Sequence, residues 1–250
     1  FAATKDDFNF VYDRNALYSI GNEKAKAVDA KNWKGSMGGG SWRDVTEGRP
    51  FYGKIAIAGG KGTRDINAHL KSLGLEPVQP ANVRVPAQYP DLPQVRKHIA
   101  DHYNSILRTD HALGEVMAQL KKDGLWGNTI IFLYSDHGSD LPRSKEFVYH
   151  EGLQVPFIVA APGLTTAMRP GSQRNDIVSL MDITATSLAL AGLPVPGYMD
   201  SRNTFDPDYS REYVFSSADR MSNVIDRVRS VMGTEFHYIR NFLTDRPLMN

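Results

Sequence analysis

Between residues 95 and 120 the apolar positions Val95, Ile99, Tyr103, Ile106, Leu107, Leu113, Val116, Met117 and Leu120 recur every three or four residues. That is the period of an α-helix, so the spacing predicts one long amphipathic helix that opens behind Pro93 and stops near Gly124. Its apolar stripe needs a cover, and a sheet is the expected one. Asp110 falls on the stripe between Ile106 and Leu113. A buried carboxylate there would need a hydrogen-bond partner, so we read it as structural. Immediately downstream the pattern changes to a continuous apolar run, Thr129-Ile130-Ile131-Phe132-Leu133-Tyr134. The run is too short for a core helix and fits a strand buried on both faces of a mainly parallel sheet.

Further runs extend this alternation. Phe51 to Ala58 reads as a buried strand ending at Gly59-Gly60, and Val155-Pro156-Phe157-Ile158-Val159-Ala160 as another. Pro77, Pro80, Pro86, Pro90 and Pro93 mark an extended connection that cannot hold a helix interior. Met181 to Leu190 predicts a second helix, capped by Ser179 and stopped by Gly192-Leu193-Pro194. Tyr213 to Phe215, Val228 to Val231 and Phe236 to Ile239 read as strands, the last two joined as a hairpin across Gly233-Thr234. The expected class is therefore α/β, a mixed, mainly parallel sheet flanked by helices, with a smaller antiparallel C-terminal subdomain. The expected division is a core over 1–195 and a strand-rich subdomain over 196–250, with 213–215 able to return to the core sheet. Residues 1–50 are irregular. Within them Gly35-Ser36-Met37-Gly38-Gly39-Gly40-Ser41 reads as a loop, because Trp42-Arg43 follows where a phosphate-binding loop needs Gly-Lys-Ser/Thr.

Composition narrows the partners. The 250 residues carry 29 Lys+Arg against 28 Asp+Glu. So balanced a charge gives no general attraction to nucleic acid or to an anionic membrane, and a small molecule is the expected partner. Cysteine is absent, which excludes disulfides, thiolate metal sites and a cysteine nucleophile within these residues. No apolar run approaches the roughly 20 residues of a membrane-spanning helix. The chain opens on Phe1 without a signal-peptide pattern and closes on Asn250 without a terminal helix, so upstream sequence is expected to be missing.

The chemistry-bearing residues cluster after the most hydrophobic strand. Ser135-Asp136-His137-Gly138 stands at its carboxyl end, where open α/β sheets place ligands. Asp136 and His137 there can present one oxygen and one nitrogen to a divalent cation. Arg143 and Lys145 lie just beyond, and two cations beside a metal suit a tetrahedral dianion; a solvated basic loop is the alternative. His150 and Glu151, in Tyr149-His150-Glu151-Gly152-Leu153, either extend the site or simply lead into the next strand.

Taken in order, these segments resemble the sulfatase family of the alkaline phosphatase superfamily. The resemblance runs through Ser135-Asp136-His137-Gly138, Leu141-Pro142-Arg143-Ser144-Lys145, Tyr149 to Gly163, Ser179-Leu180-Met181-Asp182-Ile183 and Ala191 to Pro196. Lys5-Asp6-Asp7-Phe8-Asn9-Phe10 looks like an upstream family segment, and Arg240-Asn241-Phe242 like the end of a strand in the C-terminal subdomain. The resemblance implies an alkaline-phosphatase-like fold. It implies that Asp136 and His137 bind a divalent metal, calcium in the family, that Lys145 contacts the sulfate, and that Lys5 sits near the nucleophile. It further implies hydrolysis of sulfate esters on a sulfated small molecule or saccharide, by a hydrated formylglycine, in a periplasmic or secreted protein.

Two departures stand out. The Cys/Ser-x-Pro-x-Arg motif that yields formylglycine is absent, and the resemblance places the paired aspartates that complete the metal site with it, upstream. Both are expected in a missing N-terminal part, which, with a second copy of the chain, is a candidate partner. After the strand at 51–58, where the family carries a histidine, this chain reads Gly59-Gly60-Lys61-Gly62-Thr63-Arg64. Lys61 supplies charge but is a poor proton shuttle near neutrality, and His69 is a nearby alternative. Arg220, beside Asp219, is a further candidate for substrate binding. Two other readings stay open: a phosphoester or phosphonate ester hydrolase of the same superfamily with zinc or manganese, and an inactive anion-binding or scaffold protein.

Overall fold

The computed structural model describes residues 11–13, 42–44, 51–55, 57, 64–163, 169–221 and 224–245. They fall in two compact units, Phe1–Ala58 and Gly59–Asn250. In the first, β1 (Val11–Asp13) pairs in parallel with β2 (Tyr52–Lys54), and the buried Trp42 stacks on Phe51 at 6.3 Å. Strand β2 is thus the core of the longer strand expected over 51–58. Lys5, Lys61 and the 35–41 loop lie outside the described residues.

The second unit is organised by the long helix. Helix α1 (Ile66–Ser72) and α2 (Pro93–Lys122) pack together, and a proline-rich segment runs between them. Pro93 occupies the first turn of α2, where its missing N–H leaves no bond unmade, and Gly124 ends it at φ 72°. The core here is Val83, Ile99 and Ala100, with Val78, Val85, Val95 and Leu141 against it. Asn104 is fully buried: its Oδ1 accepts the Val78 N–H at 2.7 Å and its Nδ2 donates to Asn67 Oδ1 at 2.9 Å. The buried face of α2 therefore runs through Ile99, Ala100, Asn104 and Ser105, while Tyr103 and Ile106 are more than two-fifths exposed. Of the stripe read from the sequence, Ile99 and Leu120 are buried and Leu107, Leu113, Val116 and Met117 partly so, while Tyr103 and Ile106 give up their place to the polar Asn104 and Ser105. Among the described residues the cover of the stripe includes α1 and the proline-rich segment. Asp110 is exposed, so the buried carboxylate expected there is not found.

Strand β3 (Ile131–Tyr134) pairs antiparallel with β4 (Phe157–Ala160), and Phe132 stacks on Phe157 at 6.0 Å. The pairing corrects the expectation for this strand, and so does its burial. Tyr134 and, on β4, Ile158 are exposed, the latter at 58%, so neither strand is covered on both faces. Parallel pairing among the described residues is confined to β1 and β2. Helix α3 (His150–Leu153) is a single turn before β4, and α4 (Asp182–Leu190) follows it. Ser179 caps the turn that leads into α4, as expected: its Oγ accepts from the Met181 N–H at 3.4 Å, and its own N–H donates to the Asp182 carboxylate at 3.0 Å.

Strands β5 (Val214–Met221), β6 (Val224–Met232) and β7 (His237–Asn241) form an antiparallel sheet in chain order. The β6–β7 turn closes with Gly233 N–H donating to the Phe236 carbonyl at 2.9 Å, which is the hairpin expected from the sequence. No described helix is long and apolar enough to cross a membrane.

Candidate active site

The loop that leaves β3 carries four of the predicted site residues, and its backbone folds back on itself. Gly138 N–H donates to the Gly152 carbonyl at 3.2 Å, and Lys145 N–H to the Ser139 carbonyl at 2.8 Å. The second bond fixes the Lys145 backbone against the residue two places beyond His137. A Cβ at Gly138 would lie 2.1 Å from Glu151 O, and one at Gly152 would lie 2.2 Å from Phe147 O, so both positions demand glycine.

At the tip of β3, Asp136 is 85% exposed and His137 is half-buried. His137 Nδ1 lies 2.7 Å from the Gly138 carbonyl. A carbonyl oxygen only accepts, so Nδ1 carries a proton, and in the neutral tautomer this leaves the lone pair on Nε2. That lone pair stands 3.6 Å from Asp136 Oδ1. Such a spacing lets one cation, at roughly 2.0–2.6 Å from each, take both atoms as ligands. A backbone carbonyl holding the far nitrogen is the usual way a ligating imidazole is oriented. The two residues therefore fit a divalent metal. No group of three or more His, Asp or Glu that could hold a metal is present among the described residues.

Lys145 is about one-third exposed, and its Nζ sits 2.9 Å from Glu146 Oε1. Arg143 stacks its guanidinium 4.4 Å over the Tyr149 ring. Both Arg143 and Glu146 adopt left-handed backbone, φ 67° and 81°, an uncommon state for residues with a Cβ. The loop is also tied to α2 and to the proline-rich segment. Asp140 Oδ1 accepts from His98 Nε2 at 3.2 Å, and Tyr89 donates its hydroxyl to the Pro142 carbonyl at 2.7 Å. Burial holds the nearby His102 below the ordinary imidazole range, with the Asp140 carboxylate opposing. Burial also raises Tyr89, and the Glu151 carboxylate adds to that rise. Glu151 accepts from Gln88 Nε2 at 3.1 Å, while His150 is exposed at the start of α3.

Asp136, His137, Arg143 and Lys145 thus share one loop. Arg220 belongs to β5, opposite Ile225, and its neighbour Asp219 pairs with Arg229 at 2.7 Å. His69 lies in the last turn of α1. No sequence pattern singles out Ser144, which is 1% exposed at the centre of the loop. Asp182, which enters the sequence reading only within the Ser179–Ile183 segment of the resemblance, is fully buried against Arg211 at 2.6 Å.

Comparison with known proteins gives this loop its context. The chain is 35% identical over 161 residues to an ulvan-active sulfatase of Formosa agariphila, covering 63% of this chain and 26% of that protein. It is 28% identical over 150 residues to human N-sulphoglucosamine sulphohydrolase, covering 60% of this chain and 29% of that one. It spans about a quarter of the length of these curated relatives. Among solved structures, a Bacteroides fragilis protein described as a sulfatase superposes with a TM-score of 0.62 at 18% identity, over 78% of this chain and 45% of that one. A second, solved in complex with its substrate D-glucosamine-2-N,6-O-disulfate, gives 0.52 at 20% identity over 63% of this chain and 35% of that one. These likenesses support the α/β fold. The sulfatase family model matches residues 50–193, more than half of the sequence, and this chain belongs to the sulfatase family.

Proposed function

We propose that this chain forms part of a sulfate ester hydrolase acting on sulfated saccharides. The observation that carries the reading is the single loop that holds the Asp136–His137 pair at one end and ties Lys145 by its backbone to Ser139. A divalent cation, calcium by family resemblance, would supply charge and polarise the sulfuryl oxygens when bound there. Asp136 and His137 would supply two of its ligands. The Lys145 ammonium lies close by along the chain and can neutralise charge that builds on the transferring sulfuryl group. Lys5 near the nucleophile, with Arg143, Lys61 and Arg220 as further anion contacts, completes the proposed set. The nucleophile and the paired aspartates come from outside these residues.

Sulfated saccharides are proposed as substrates because the relatives include an ulvan-active sulfatase and a structure holding a disulfated glucosamine. The mainly parallel core sheet, and the division into 1–195 and 196–250, remain part of the proposal for the whole protein. The test is a comparison of aryl sulfate with aryl phosphate hydrolysis by the full-length protein, beside Asp136→Ala and Lys145→Ala variants. The reading expects sulfate ester hydrolysis to dominate, Asp136→Ala to weaken metal binding in calorimetry, and Lys145→Ala to lower kcat/KM by about 100-fold or more. Preference for the phosphate ester, or unchanged metal affinity in Asp136→Ala, sinks it.

A further inference from the structure

We infer that Ser144 is a positioning residue that locks the metal-ligand turn and Lys145 into one rigid unit; what Lys145 and the turn do there rests on the sulfatase reading. The Ser144 side chain is 1% exposed and makes two hydrogen bonds to different parts of the loop. Its Oγ donates to the Glu151 carbonyl at 2.8 Å and accepts from Ser139 Oγ at 3.1 Å. One hydroxyl therefore joins the residue two places beyond His137 to the turn that becomes α3. Its backbone is equally engaged: Ser144 N–H donates to the Leu141 carbonyl and Phe147 N–H to the Ser144 carbonyl, each at 3.1 Å.

The residues around it show why such a lock is needed. Arg143 and Glu146, on either side of the Ser144-Lys145 pair, both have positive φ without being glycine. Backbone of that kind persists only where surrounding contacts over-determine it. Ser144 is the buried residue between these two positions, and its hydroxyl is the side-chain link from the 143–146 turn to both neighbouring segments. The space left for that hydroxyl is equally specific. A Cβ at Gly138 would lie 2.6 Å from Ser144 Oγ, so the backbone beside His137 is packed directly onto the serine. With the hydroxyl removed, the Glu151 carbonyl and the Ser139 hydroxyl lose their partner and the turn can relax. Lys145 Nζ and the Asp136–His137 pair would then no longer be fixed relative to one another.

The full-length protein with Ser144→Ala, Ser139→Ala and the double change tests this. Calcium affinity by calorimetry, kcat and KM for an aryl sulfate, and the thermal midpoint are measured for each. The inference expects Ser144→Ala to fold and to lose metal affinity and kcat/KM together, by about 10–100-fold as for other groups that orient metal ligands. Ser139→Ala, which cuts only the Ser139–Ser144 bond and leaves Ser144 on the Glu151 carbonyl, should lose less than Ser144→Ala, and the double variant no more than Ser144→Ala, which already cuts both bonds. Ser144→Thr, which keeps the hydroxyl, should retain more metal affinity than Ser144→Ala. A lowered thermal midpoint with unchanged metal affinity overturns the inference and leaves Ser144 a packing residue. If the wild-type protein binds calcium yet hydrolyses no sulfate ester, the sulfatase reading fails, and the metal affinities alone still decide the role of Ser144. A wild-type protein that binds no divalent cation overturns both.

Discussion

A methyl group at position 138 has no room. It would stand 2.1 Å from the Glu151 carbonyl and 2.6 Å from Ser144 Oγ, and the first of these is backbone that cannot rotate away. Gly138→Ala should therefore destabilise the protein by about 1–3 kcal/mol, the usual range for forced overpacking, and weaken metal binding as the turn shifts. Denaturant titration against the wild type reads the first effect and calorimetry the second; a variant with wild-type values in both would contradict the geometry. Glu146 offers a test of opposite sign. Its carboxylate holds Lys145 Nζ at 2.9 Å, so it competes with any anion for that cation. Glu146→Gln should tighten inorganic sulfate binding, by no more than about five-fold because the pair is part-exposed and worth at most ~1 kcal/mol. The sequence made the adjacent Asp136 and His137 legible, since their types and their place after a strand are visible without coordinates. Ser144 was not legible. A serine between Arg143 and Lys145 reads as a wet basic loop, and only the fold shows that the loop turns its middle inward.

The same contrast holds for the elements. The existence of α2 and its two ends followed from period, Pro93 and Gly124, which are local properties. The polar part of its buried face did not, because that face includes Asn104 and Ser105, and pairing of polar groups is invisible to a hydrophobic pattern. Strand direction failed for a related reason. Runs as short as β3 and β4 show that a strand is there but carry no signal for which neighbour it meets or in which sense. The C-terminal hairpin was legible because its turn, at Gly233, is itself a sequence feature. Asn104 also gives the element its sharpest test. It satisfies both the N–H and the carbonyl of Val78, the latter at 3.2 Å, and so staples the proline-rich segment to α2. Asn104→Ala should cost about 1–3 kcal/mol, because both part-buried backbone groups of Val78 lose their partner. Hydrogen exchange should show the Val78 amide losing protection before the α2 amides do, whereas uniform loss along α2 would mean that the helix rather than the segment depends on Asn104.

At the scale of the whole chain, one carboxylate gathers segments that no local pattern connects. Asp182 is fully buried and accepts from the Arg211 guanidinium at 2.6 Å, the Tyr209 hydroxyl at 2.7 Å, and the backbone N–H groups of Arg202 and Ser179 at 2.8 and 3.0 Å. Burial alone would raise its pKa, but Arg211, the Arg202 N–H, Tyr209 and the Ser179 N–H together hold the carboxyl below its ordinary value. A carboxyl lowered on folding stabilises the native state fully above its unfolded pKa, about 3.9, and the stabilisation is lost as pH falls through the lower folded value. Tyr209 runs the other way. Burial, and next its hydrogen bond to Asp182, push it up to about 12 from an ordinary 10.0. Its contribution is therefore complete below pH 10.0 and is lost as pH rises toward about 12. Stability should fall at both extremes through the same network. Asp182→Asn leaves Arg211 buried without its counter-charge and should cost about 3–5 kcal/mol near neutrality. It should also flatten the acid limb of the stability curve, while Tyr209→Phe flattens the basic limb and leaves the acid limb in place. Urea unfolding from acid to strongly basic pH separates the two. An acid limb as steep in Asp182→Asn as in the wild type would assign acid sensitivity to other carboxylates and remove Asp182 from the centre of the network.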